Sequence, residues 1–322
     1  MKRLFAERHY GGRMSTQKYR LVTRSDLDGL VSAVLLNHLG LIDEMKFVHP
    51  KDMQDGTVEI TSRDITTNLP YVPNAHLVFD HHESEMQRSG GEHDNFILDP
   101  KAPSAARVVY NYYGADAFKG INPDMMAGVD KADSAQFTPE EVCNPTGWTL
   151  LHFLTDARTG LGRFHHFRIS NYTLMMELTK CIGSQSIEET LAMPDVKERV
   201  DLYFESAPKA EEQIKRCSTV TGKVVVLDLR DEAEIWPTNR FLVYALFPQA
   251  AVSLHLMWGR QKQNVVIAAG KSIFDRSSKA NLGQLLLEFG GGGHAAAATC
   301  QLESSRFDSV LKELVTRINA AG

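Results

Sequence analysis

Short apolar runs alternate with amphipathic stretches along this chain. The apolar runs Tyr19-Arg20-Leu21-Val22-Thr23, Met45 to His49, Thr57-Val58-Glu59-Ile60-Thr61 and His76 to Phe79 predict strands. Between the first two, Leu30 to Leu39 predicts a helix closed by Gly40. Helical patterns follow at Pro103 to Tyr113, Pro123 to Asp133, Trp148 to Arg158, His165 to Cys181 and, strongly charged, about Val196 to Cys217. A second alternation then begins. It has strands at Lys223 to Leu229, Ala251 to Trp258, Asn264 to Ala269 and Thr299 to Leu302, with helices at Thr238 to Phe247, Lys279 to Phe289 and Phe307 to Ile318. The pattern predicts an α/β chain, with a parallel sheet first and a smaller α/β domain after it. A length of 322 residues is enough for two cores. The expected division is a loose tail over 1–16, a first domain over 17–195, a helical connector over 196–217 and a second domain over 218–322.

Composition narrows the partners. No apolar run approaches the roughly 20 residues that span a bilayer, and Met1-Lys2-Arg3-Leu4-Phe5 lacks an apolar signal core. Residues 1 to 14 are basic and aperiodic, and Met14 is an alternative start. Cys143, Cys181, Cys217 and Cys300 are scattered with no CxxC pair, as expected of reduced thiols in a cytoplasmic protein. A formal net charge of −5 argues against long duplex nucleic acid and for a small phosphorylated substrate or a short oligonucleotide.

Against that frame of strands, the acids and histidines gather. Val78-Phe79-Asp80-His81-His82-Glu83 carries an apolar strand straight into an acid and two imidazoles. Asp26 and Asp28 lie between the first strand and its helix, and Asp64 lies near the end of the third run. If the strands are parallel, Asp26, Asp28, Asp64, Asp80, His81 and His82 all stand at carboxyl ends, the edge where open α/β sheets bind ligands. Carboxylate oxygen with imidazole nitrogen suits Mn²⁺, Zn²⁺ or Fe²⁺. A late aspartate, Asp133 or Asp130, is a further candidate. Any one of these acids alone reads as a solvated loop residue; three clusters at successive strand ends do not. The remaining histidines, including His152, His165, His166 and His255, read as core or surface residues.

In the second half, Gly290-Gly291-Gly292-Gly293-His294 would let backbone N–H groups approach an anion, with Arg276 able to grip a phosphate or carboxylate. A hinge of small residues is the plain alternative.

These residues resemble the DHH/DHHA1 phosphoesterase superfamily. Asp26-Leu27-Asp28-Gly29 resembles its first motif, Asp64 the lone aspartate of its second, and Asp80-His81-His82 the motif that names it. Asp133, or failing that Asp130, resembles the fourth-motif aspartate, and Phe274 to Ser278 with Gly290 to His294 resemble the substrate motifs of the DHHA1 domain. The resemblance covers about residues 18 to 322. It implies an N-terminal parallel-sheet domain, a smaller C-terminal domain and an active site in the interdomain cleft. It also implies a Mn²⁺-preferring centre of one or two ions (Mg²⁺ or another divalent ion being the alternative) that hydrolyses phosphoester or phosphoanhydride bonds.

Carried over residue by residue, the resemblance makes Asp64 the bridge between two metals. Asp28, His81 and Asp133 complete one site, Asp26 serves the other, Asp80 orients His81, and His82 lies near the substrate phosphate. Arg276, Ser277, Gly291, Gly292, Gly293 and His294 would hold the substrate. The expected activity is exopolyphosphatase-like. The alternatives are an oligoribonuclease or 3′,5′-bisphosphate nucleotidase, a cyclic-dinucleotide-linked phosphodiesterase, and a weakly catalytic protein that binds phosphoryl ligands. A homodimer is compatible with the family. One position departs from the pattern. Many members carry a histidine ahead of the first aspartates, and here Val22-Thr23-Arg24-Ser25 has none. Arginine has no lone pair to give a metal. Either the first metal site is weak or empty, or Arg24 supplies its charge by holding a phosphate.

Overall fold

The computed structural model describes residues 17–322, so the tail expected over 1–16, with Met14, lies outside the described residues. The chain divides into two compact units. The first holds the chain up to Gln136 with Thr146–Ala157 and Leu161–Val200, and the second holds Phe137–Pro145, Arg158–Gly160 and Asp201–Gly322. The division falls inside one long helix, Pro194–Cys217.

The first unit is built on β1 (Tyr19–Arg24), β2 (Ile42–Val48), β3 (Asp64–Thr67), β4 (Leu77–Asp80) and β5 (Phe96–Leu98). They form a five-stranded sheet in the order β2-β1-β3-β4-β5, with every pair parallel. The chain runs outward from β1 to β2, then returns to the other side of β1 to place β3. That reversal opens a crevice at the carboxyl ends of β1 and β3. Leu21, Val22, Ile65, Val78 and Phe79 of the inner strands are fully buried. The helix Leu27–His38 follows β1 and packs against helices Ala105–Tyr113, Pro123–Asp133 and Asn171–Cys181. Being covered on several sides, it is apolar almost all round, with Leu30, Val31, Ala33, Leu35 and Leu36 inaccessible.

Three predicted elements differ, each for a local reason. Residues 57–61 are not a strand. Val58 and Ile60 turn inward to pack with Met53, Leu69 and Val78, which mimics strand alternation without a ladder partner. The strand is Asp64-Ile65-Thr66-Thr67, buried at every position and too polar to show a pattern. The helix expected over Thr238 to Phe247 is reduced to Leu242–Leu246. Asn239 ends the extended chain there, because its side-chain oxygen accepts from Phe241 N at 3.1 Å while its amide donates to Val142 O and Tyr203 Oη. The helix expected from His165 begins at Asn171, where Ser170 Oγ caps it by accepting from Thr173 N.

The second unit contains β6 (Ser218–Thr221), β7 (Val224–Asp228), β8 (Val252–Trp258), β9 (Val265–Lys271), β10 (Gly292–His294) and β11 (Ala297–Leu302). Its six-stranded sheet has the order β10-β11-β9-β8-β7-β6. Only β7 and β8 pair in parallel. Val224, Leu254, Leu256 and Ile267 form its core with Leu282 and Leu286, and with Phe307, Leu314 and Ile318 of the last helix, Ser304–Ala320. No helix among the described residues is long and apolar enough to cross a membrane.

Candidate metal centre

The turn after β1 is built around a glycine. A Cβ on Gly29 would lie 1.9 Å from the Arg24 carbonyl oxygen, so only glycine lets the helix start this close behind the strand. Asp26 caps that helix, its Oδ1 accepting from Gly29 N at 3.0 Å. Asp28, in the first turn, points the other way. Its two oxygens accept from Ala105 N at 2.9 Å and Ala106 N at 2.7 Å, at the start of helix Ala105–Tyr113. The helix N-terminus thus receives a carboxyl group that is only 2% exposed. Burial, then the neighbouring Asp133 charge, push Asp28 up to about 8.

His81 and Asp133 complete a cluster. Oxygens of Asp28 and Asp133 and a nitrogen of His81 all lie within 4.8 Å of one another. Asp133 is the last residue of helix Pro123–Asp133. His81 Nδ1 lies 3.2 Å from the Ala102 carbonyl and donates to it, which leaves Nε2 facing Asp133 Oδ2 at 2.9 Å. Nε2 is buried and, close as Asp133 is, makes no hydrogen bond. A lone pair set against two carboxylates is stable only with a positive charge between them. The protein alone supplies it as a proton: burial lowers the pKa of His81, but Asp133, Asp28 and Asp80 outweigh burial and push it up to about 10. A divalent cation satisfies the same three donors, so these residues fit one.

Asp80 ends β4, and its Oδ1 accepts from His81 N at 2.8 Å and lies 2.8 Å from His82 Nδ1. The expectation that Asp80 orients the ring of His81 is therefore corrected: it holds the ring of His82, while the Ala102 carbonyl orients His81. Burial lowers the pKa of His82, but the Asp80 hydrogen bond and charge prevail and raise it.

Asp64 does not join this cluster. It opens β3 instead of ending it and lies in register with Arg20 at the amino end of the sheet. Arg20 Nε and Nη2 reach its two oxygens at 2.6 and 3.0 Å, and Thr61 N and Oγ1 take Oδ2 at 2.6 and 3.1 Å. Its acceptors are spent on the fold, and the bridging role expected from the second motif is corrected. The carboxyl end of β3 carries Asn68 instead. Asn68 Nδ2 lies 3.2 and 3.4 Å from the two oxygens of Asp26, and Arg24 Nε lies 3.0 Å from Asp26 Oδ2.

The choice between Asp133 and Asp130 also resolves. Asp130 is paired with Arg107 and accepts from Ser104 Oγ at 2.9 Å. Two neighbours escaped the sequence. His152 and Asp156, both over 90% buried, stand close enough to matter: the charge of Asp156 raises Asp26, and that of His152 lowers Asp133. Each lies at or near the end of helix Gly147–Thr155 as a single polar residue, with no motif around it.

In the second unit the glycine run is partly structural. Gly290 adopts φ +78 after helix Leu282–Leu287, and Gly291 N bonds back to Leu286 O at 2.9 Å. A Cβ on Gly291 would meet Thr299 O at 2.2 Å, and one on Gly293 would meet Ala297 O at 2.4 Å, because β10 lies tightly on β11. Gly292 would meet nothing within 4 Å and His294 is exposed. Arg276 and Ser277 are exposed in the loop after β9.

A parallel sheet with an acid–histidine cluster at its carboxyl edge, followed by a mixed second sheet, fits a metal-dependent phosphoesterase. The chain belongs to the DHH/DHHA1 phosphoesterase superfamily. It is 58% identical to the pGpG-specific phosphodiesterase PggH from Vibrio cholerae, covering 95% of this chain and 100% of that one with a TM-score of 0.81. RecJ from Thermus thermophilus in complex with Mn²⁺ shares the fold at 12% identity and a TM-score of 0.53, over 99% of this chain and 54% of that one. A second exonuclease RecJ, bound to manganese, gives 14% and 0.51 over 100% and 94%. No family model and no curated protein matches the chain. The chain is a phosphoester hydrolase of the DHH type, with residues that can hold a metal.

Proposed function

We propose that this chain hydrolyses the internal phosphodiester of a short linear dinucleotide of the pGpG kind. The 58% identity along the whole of PggH carries this reading. It favours the dinucleotide-linked alternative over the exopolyphosphatase-like one. Water adds to the bridging phosphorus, the bond from phosphorus to the 3′ oxygen breaks, and that oxygen takes a proton, so the products are two nucleoside 5′-monophosphates.

The residues divide the work. Asp28, His81 and Asp133 hold the divalent ion, which when bound makes hydroxide available near neutral pH. Asp80 fixes His82 and favours its protonated form, which suits it to steady a phosphoryl oxygen or to protonate the departing one. Arg24 adds fixed positive charge beside Asp26. In the second unit, Arg276, Ser277 and His294 are exposed and are the candidates there for binding a phosphorylated ligand, with Gly292 leaving its backbone open and Gly291 and Gly293 shaping the hairpin.

The test is turnover of pGpG, other linear dinucleotides, cyclic di-GMP, polyphosphate and adenosine 3′,5′-bisphosphate by the purified protein with Mn²⁺ or Mg²⁺. The expected result is a preference for the linear dinucleotide and a loss of about a hundredfold or more in Asp133→Asn. Preference for polyphosphate would restore the exopolyphosphatase-like reading. Metal binding without turnover of any substrate would make the chain a phosphoryl-ligand binding protein.

A further inference from the structure

We propose that the centre takes one divalent cation and that Arg24 is built in where a second would sit, as the fixed charge that anchors the substrate's phosphate. The anchoring clause rests on the phosphodiesterase reading above; the metal count does not.

Two cations a few ångströms apart need a carboxylate between them and donors on both sides. Donors on one side are present, since Asp28, His81 and Asp133 converge within 4.8 Å. On the other side the carboxylate is already neutralised by a guanidinium, which Asp28 with its two backbone N–H partners is not. Asp26 Oδ1 accepts from Gly29 N at 3.0 Å and from Asn68 Nδ2 at 3.2 Å, and Asp26 Oδ2 receives Arg24 Nε at 3.0 Å. A cation there would have to displace a guanidinium and an amide, both of which it would repel or leave unpaired.

Asn68 shows the same from the sheet. It follows β3 directly, between the ends of β1 and β4, where a bridging carboxylate would stand. It is 3% exposed and has φ +54, and its N donates to Phe79 O at 3.1 Å, so its place is fixed by the backbone. Its amide must present Nδ2 to Asp26, because Oδ1 there would set acceptor against acceptor. Oδ1 then remains buried with no hydrogen-bond partner. A carboxylate at this position would face Asp26 across about the same distance and would need a cation between them. An amide and an arginine together need none.

Arg24 has a second use. A third of its side chain is exposed while Nε is tied to Asp26. A guanidinium held this way keeps its direction and offers N–H donors to phosphate oxygens at little cost in side-chain freedom.

Counting Mn²⁺ on the purified chain by equilibrium dialysis, with electron paramagnetic resonance on the same samples, tests this. Wild type is expected to bind one ion per chain with the spectrum of an isolated Mn²⁺. Arg24→His with Asn68→Asp is expected to bind two, with an exchange-coupled spectrum. Two coupled ions in wild type would overturn the count while leaving the phosphodiesterase reading intact, and no bound ion would overturn both the count and the metal assignment. Arg24→Gln is expected to keep one ion and raise KM for the dinucleotide by about tenfold or more. An unchanged KM would overturn the anchoring role.

Discussion

At the scale of single residues, the chemistry depends on which partner each acid finds. Asp28, His81 and Asp133 face one another, Asp28 taking only backbone N–H groups, whereas Asp64 and Asp130 are each neutralised by an arginine, Arg20 and Arg107. Asp64→Ala is therefore expected to act on stability. It strips Arg20 of its carboxylate partner and Thr61 N and Oγ1 of the one oxygen they share, costing about 2–4 kcal/mol in denaturant unfolding, with turnover per folded molecule nearly unchanged. His81→Ala should do the reverse, abolishing turnover and metal binding at little cost to the fold. His255 sets a pH limit. Its Nε2 is shut away from solvent with no hydrogen-bond partner, and burial, then the Arg240 charge, push it down to about 4. Because the folded value lies below the ordinary one, the unfolded chain takes the proton first. Its contribution to stability is complete above about 6.5 and is lost as pH falls through about 4. Thermal melts at stepped pH should show less acid destabilisation in His255→Leu, by on the order of 2 kcal/mol.

Elements place these residues, and glycine sets how closely elements approach. The turn from β1 into its helix puts Asp26 and Asp28 on two sides of one segment only because Gly29 has no Cβ to meet the Arg24 carbonyl. Gly29→Ala is expected to cost about 2–4 kcal/mol and to reduce turnover, measured by unfolding and by activity on the folded fraction. Gly291→Ala should destabilise the β10–β11 hairpin through Thr299 O, and Gly292→Ala should not, since nothing lies near its missing Cβ. If melting temperature falls equally in both, the hairpin account fails. At this scale the sequence was readable where pattern and partner agree. The run into Asp80 showed its strand, whereas Asp64-Ile65-Thr66-Thr67 hid one, because a central strand buried on both faces need not alternate.

For the whole molecule, each unit has its own core, and the centre described above lies within the first. Its donors come from three places far apart in sequence: the turn after β1, the end of β4 and the end of helix Pro123–Asp133. Metal removal should loosen all three together. Chelator is expected to lower the melting temperature of the wild type by several degrees and that of Asp133→Asn hardly at all.

The sequence by itself determined the class of fold and the family, and it set Asp26, Asp28, Asp80, His81 and His82 at the carboxyl ends of parallel strands; by the same pattern it put Asp64 there too, and it left Asp133 and Asp130 as alternatives. Only the tertiary structure decided which carboxylates remain available. Register put Asp64 opposite Arg20 at the amino end, four residues before the strand delivers Asn68 to Asp26. Helix packing brought in His152 and Asp156, for which no local pattern exists. A residue's type fixes what it can donate or accept; whether any of that capacity is left for a ligand depends on neighbours that only folding supplies.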